Sequence, residues 1–207
     1  MITIIDYGVG NLFSLVSSLN AIGEECRVSS KGEDILTADK IILPGVGAFG
    51  DAKAKLDETG LIPYIYQAVD KGIPLLGICL GMQMLFDKSY EYGEHDGLGL
   101  IPGVVKDMKP DLVSNGYDYK TPEMGWNALK FHNDTDLFKY IKEGDYVYFV
   151  HSYHAVECSE HLIASCEYGI QVTAAVQRGK VYGTQFHPEK SGEVGLKILK
   201  AFCETER

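Results

Sequence analysis

The chain has 207 residues, 45% of them hydrophobic and 23% charged, ordinary proportions for a folded protein and enough length for a single α/β domain, 1–207, with a sizeable core. A net charge of −10 argues against a nucleic-acid-binding surface, and no apolar stretch approaches the ~20 residues of a membrane-spanning helix. Five cysteines, at 26, 79, 158, 166 and 203, show no paired spacing, and an ordinary strand stands where a leader peptide would, so a reduced cytoplasm is the expected setting.

Ile2-Thr3-Ile4-Ile5 reads as a first strand, Asp6 to Gly10 as a turn, and Asn11 as the cap of a helix with Leu12, Leu15, Val16 and Leu19 on one face. Gly8-Val9-Gly10 falls short of a dinucleotide-binding loop, because Phe13 stands where that fingerprint needs its third glycine. Lys40 to Leu43 is a further strand. The Pro44-Gly45-Val46-Gly47 loop after it is either a plain turn or a source of backbone donors for an oxyanion. A helix around Ile62 to Val69 follows, then a buried strand from Ile73 to Ile78 and a helix starting just after Cys79. From Tyr90 to Tyr119, glycines and prolines at 93, 97, 99, 102, 103 and 110 imply turns between short strands. The single tryptophan, Trp126, is core packing or an exposed anchor, and its burial tendency favours packing.

Asp145 to Val150 alternates as a strand into His151-Ser152-Tyr153-His154. On a strand the two histidines point to opposite faces, and no thiolate or carboxylate cluster joins them, so no metal site is read here. Val172 to Val176 and Lys180 to Phe186 flank Gln177-Arg178-Gly179 as a hairpin. The segment from Gly192 is a core-covering helix with Leu196, Leu199 and Phe202 on one face. Lys190 reads as a solvated charge.

The chemistry concentrates in two places. Gly77-Ile78-Cys79-Leu80-Gly81 is the thiol counterpart of the Gly-x-Ser-x-Gly nucleophile elbow, in which small flanking residues let a sharp turn present the nucleophile. A helix starting after Cys79 would favour thiolate over thiol. By itself such a cysteine is as readily a small buried hydrophobe. The second place decides between these readings: the strand through Phe186 ends in His187-Pro188-Glu189, and a thiol nucleophile needs a base and a group that orients the base. Cys79, His187 and Glu189 then form a triad. The backbone N–H of Leu80 supplies one oxyanion donor. Gln83, four residues beyond Cys79, is either solvated or a substrate contact on the same side of the helix.

These two segments, with Asp6 to Asn11, Leu43 to Phe49, Met124 to Asn127 and Phe149 to Tyr153, resemble the class I (triad-type) glutamine amidotransferases. More narrowly, the chain resembles the glutaminase subunits that feed ammonia to a cyclase of histidine biosynthesis. The resemblance implies a flavodoxin-like α/β fold, with a mainly parallel central sheet flanked by helices and an antiparallel extension. It implies glutamine as substrate, no cofactor, and a heterodimer with a (βα)₈-barrel cyclase. That partner takes ammonia through an internal channel and makes imidazole glycerol phosphate and an aminoimidazole carboxamide ribotide.

Carried over residue by residue, the resemblance makes Cys79, His187 and Glu189 catalytic, with Leu80 and a rearranged Val46 as oxyanion donors. Gly47, Gln83, His151, Ser152 and Tyr153 become substrate contacts, and Asn11, Trp126, Tyr148 and Lys190 face the partner. Glutamine hydrolysis is expected to be slow until partner and ligand reset the oxyanion loop. Glu123 departs from the family, which usually has histidine there. Two rivals stand beside this reading: a paralogous subunit supplying another synthase, such as one amidating surface sugars, and a catalytically silent regulatory subunit.

Overall fold

Short, unbroken apolar runs need cover on both faces, and this requirement organises the molecule. The computed structural model describes residues 1–206. Strands β1 (Ile2–Ile5), β2 (Cys26–Ser29), β3 (Lys40–Leu43) and β4 (Leu75–Ile78) alternate with helices α1 (Leu12–Ala21), α2 (Gly32–Leu36), α3 (Phe49–Glu58) and α4 (Ile62–Asp70). Helix α5 (Leu80–Met84) follows the elbow, and β5 (Lys88–Ser89), β6 (His95–Asp96) and β7 (Val104–Asp107) lead to α6 (Met108–Ser114). The second half carries β8 (Glu123–Ala128), β9 (Lys130–Phe131), β10 (Tyr146–His151), β11 (Tyr153–Val156), β12 (Leu162–Tyr168), β13 (Ile170–Arg178) and β14 (Val181–Thr184), and then α7 (Gly192–Cys203).

The main sheet has the order β2-β1-β3-β4-β14-β13-β12-β9. It is parallel from β2 to β14 and antiparallel beyond, which is the mainly parallel sheet with an antiparallel extension that the sequence implies. All residues of β1, β3 and β4 are buried, and their side chains alternate between two cores. Ile4, Ile42 and Leu76 pack with Leu15 and Leu19 of α1 and Ile198, Leu199 and Phe202 of α7. Ile5, Ile41 and Leu75 pack with Ile35 of α2, Leu56 of α3 and Ile65 of α4. Two smaller sheets, the β8–β10 ribbon and β11-β7-β5-β6, stand beside the carboxyl ends of the parallel strands, around the elbow.

Three sequence expectations need correction. Helix α6 lies inside the stretch expected to be turns and strands, because Pro110 falls in its first turn, where a missing N–H costs nothing. The Asp107 side chain caps it by accepting from the Lys109 N–H at 2.9 Å. The hairpin loop begins two residues later than expected and ends one later: β13 runs through Arg178, which pairs with Val181, so the loop is Gly179-Lys180, with Gly179 at φ +58°. Trp126 is not core packing. It is 54% exposed, on the same outward face of β8 as Met124, and meets Tyr148 edge-on with ring centroids 6.2 Å apart.

Candidate active site

Cys79 lies between β4 and α5 at φ +55° and ψ −112°, a backbone conformation that L residues rarely adopt, and its N–H donates to the Thr184 carbonyl oxygen at 2.7 Å. The flanking glycines make this turn possible by close approach. A Cβ on Gly81 would fall 1.9 Å from the Leu43 carbonyl oxygen, and one on Gly77 2.7 Å from the Gly81 carbonyl oxygen. A Cβ on Gly45 would fall 2.7 Å from the Gly81 nitrogen, so the end of β3, the following loop and the elbow are in backbone contact.

Cys79 opens onto a cavity of about 320 Å³. Val46, Gly47, Leu80, Gln83, His151, Ser152 and Tyr153 line it together with His187, so the sequence-predicted substrate and oxyanion residues share one space. Lys190, expected at the partner face, also lines it. Glu189 sits behind His187 and accepts from its Nδ1 at 2.8 Å, which leaves Nε2 to engage the thiol. Burial opposes the imidazolium, but hydrogen bonds and charge from Cys79 and Glu189 outweigh it, so the pKa of His187 is pushed up to about 9. The site therefore favours the cationic form of the His187 ring near neutral pH, next to the Cys79 sulfur.

Gln83 is buried, not solvated: its Nε2 donates to the Tyr153 carbonyl oxygen at 3.1 Å and to Gln185 Oε1 at 3.0 Å. The loop after β3 is pinned at its start, where the Tyr7 hydroxyl donates to the Pro44 carbonyl oxygen at 2.7 Å. Beyond that point Val46 is 40% exposed and Gly47 has φ +91°, and among the described residues no hydrogen bond engages the N–H of either. That loop is free to turn a peptide.

Asn11 caps α1 by accepting from the Ser14 N–H at 3.3 Å, and it shares a narrow crevice with Val46, His187 and Glu189. Trp126 and Tyr148 lie away from the cavity, on the β8–β10 ribbon.

The sequence reading missed Glu91. It is 8% exposed, lines the cavity, and accepts from the Phe49 N–H at the start of α3 at 2.7 Å. Burial pushes its carboxyl above the usual range, while that hydrogen bond pulls the other way. It lies in an irregular segment with no periodicity or motif, so only the fold brings it to Cys79.

The family model described as glutamine amidotransferase class-I matches residues 3–205. The imidazole glycerol phosphate synthase subunit HisH of Geobacillus kaustophilus is 51% identical over 98% of this chain and 95% of its own length. That of Geobacillus sp. strain WCH70 is 49% identical over 98% and 96%. A crystal structure of a glutamine amidotransferase superposes with a TM-score of 0.74 at 20% identity, covering 98% of this chain and 100% of that one, a likeness of fold. The chain belongs to the class-I glutamine amidotransferases, on the branch of the imidazole glycerol phosphate synthase subunit HisH.

Proposed function

We propose that this single domain is the glutaminase subunit of imidazole glycerol phosphate synthase in histidine biosynthesis. It hydrolyses glutamine to glutamate and passes the ammonia to a (βα)₈-barrel cyclase subunit. The observation that carries this reading is the thiol, imidazole and carboxylate of Cys79, His187 and Glu189, aligned in hydrogen-bonding order beside one cavity.

Cys79 thiolate attacks the side-chain amide carbon, forming the C–S bond and placing negative charge on the amide oxygen. The Leu80 N–H and, once its peptide has turned, the Val46 N–H hold that oxyanion. His187 gives its proton to the departing nitrogen as the C–N bond breaks, releasing ammonia and leaving a γ-glutamyl thioester. His187 then takes a proton from water, which attacks the thioester carbon and releases glutamate and the thiolate. Glu189 orients the ring and stabilises its cation throughout. Glu91 faces the α-ammonium of the substrate, while Gln83 and the backbone from His151 to Tyr153 shape the wall that receives its α-carboxylate.

The partner docks on the exposed aromatic face of the β8–β10 ribbon, with Asn11 and Lys190 beside it. A reduced cytoplasm suits the five unpaired cysteines, and no helix among the described residues is long and apolar enough to cross a membrane. A glutamine-analogue electrophile followed by mass mapping tests the chemistry. Adduct on Cys79, prevented by excess glutamine, is expected; no adduct on a folded chain would favour the silent regulatory subunit.

A further inference from the structure

We infer that Glu123 is a positioning residue of the glutamine site, holding the His151 ring and through it the wall from His151 to Tyr153; this rests on the glutaminase reading. In the β8–β10 ribbon Glu123 is the register partner of His151. Strand alternation turns Met124 and Trp126 outward and Glu123 inward, where its side chain is 4% exposed and that of His151 3%.

The contacts around this pair hold each member in place. Glu123 Oε1 accepts from Asn127 Nδ2 at 2.9 Å and from the Cys166 thiol at 3.9 Å. Glu123 Oε2 and His151 Nε2 are buried and lie 3.3 Å apart, within ion-pair distance, and among the described residues neither atom makes a hydrogen bond. On the other side of the ring, His151 Nδ1 lies 2.9 Å from the Tyr153 carbonyl oxygen. A carbonyl only accepts, so Nδ1 carries a hydrogen. One hydrogen is then needed between Nε2 and Oε2, whichever atom carries it, because a bare nitrogen against a bare carboxylate oxygen would set two lone pairs facing each other.

The pair reaches the substrate wall through one oxygen. The Tyr153 carbonyl takes both the His151 Nδ1 hydrogen and that of Gln83 Nε2, and the neighbouring Ser152 carbonyl accepts from the Met108 N–H at 3.0 Å. Glu123, His151, Tyr153 and Gln83 therefore lie in one line of contacts behind the wall, and only the next residue along it, Gln185, reaches the thiol, accepting from Gln83 at 3.0 Å and placing its Nε2 3.8 Å from Cys79 Sγ. His154, next along the strand, is held separately by Asp111 at 3.2 Å. A side chain acting this way alters how well glutamine binds more than how fast the bound amide reacts.

The test compares Glu123→Leu and Glu123→Gln with the unaltered chain in the complex with its cyclase, measuring KM and kcat for glutamine. It adds ring-nitrogen NMR of His151, assigned by loss of its signals in His151→Gln. Glu123→Leu is expected to raise KM roughly tenfold with a much smaller change in kcat. Glu123→Gln recovers most of that loss, because its amide N–H can donate to a neutral ring. The unaltered chain shows a hydrogen on His151 Nδ1, and Glu123→Leu shifts the Nε2 signal. An unchanged KM in Glu123→Leu, or a His151 Nε2 signal indifferent to the residue at 123, overturns the inference. Should Glu123→Leu not fold, the spectrum decides. If the unaltered chain releases no glutamate at all, the glutaminase reading fails, and the spectrum still reports on the pair.

Discussion

At Cys79 a strained backbone holds the sulfur beside an imidazole whose cationic form the site favours. Cys79→Ala is expected to abolish glutamate release while leaving glutamine binding and folding intact, a split read by calorimetric titration beside the activity assay. Replacing Glu189 with Gln leaves the shape but removes the charge that stabilises the imidazolium, and is expected to lower kcat by about 10²–10⁴-fold. The raised pKa of His187 also makes a prediction about stability. A folded-state value of about 9 against about 6.5 unfolded means the fold favours the cation. That stabilisation is full below about 6.5 and is lost as pH rises through about 9. Urea midpoints should therefore fall across that window in the unaltered chain, and less steeply in His187→Gln.

Among the elements, the elbow depends on backbone contact between β3 and α5, and the glycines there are not interchangeable with alanine. Gly81→Ala would drive a Cβ to 1.9 Å from the Leu43 carbonyl oxygen, and is expected to cost more than about 3 kcal/mol in urea unfolding or to prevent folding. Gly179→Ala has open space and pays only for its left-handed φ, about 1–2 kcal/mol. The first of these constraints was legible in the Gly-x-Cys-x-Gly spacing, and the parallel strands were legible as unbroken apolar runs. Helix α6 was not, because Pro110 reads as a breaker until its place in the first turn is known. Glu91 and the Glu123 pair were hidden for a different reason. Their contacts join segments 28 and 42 positions apart in sequence, which no local pattern records. Position 123 was visible only as a departure from the family, with no sign of the imidazole it faces.

For the whole molecule, the Cys79 cavity and the exposed aromatics belong to one end, where the carboxyl ends of the parallel strands meet the β8–β10 ribbon. For Trp126 burial tendency favoured packing while the family resemblance put it on the surface facing a partner, and its 54% exposure excludes the packing reading. Trp126→Ala is accordingly expected to change stability by no more than about 0.5 kcal/mol while weakening cyclase binding by about 2 kcal/mol or more. Paired denaturation and titration experiments separate the two.

The most direct test of the account is glutamate release by the purified chain, alone and with the cyclase subunit and its phosphoribosyl ligand, with Cys79→Ala as control. The account predicts slow release alone, strong acceleration that requires both partner and ligand, and none from Cys79→Ala. Release that ignores the cyclase would contradict the histidine-pathway assignment, and release that survives Cys79→Ala would contradict the mechanism itself.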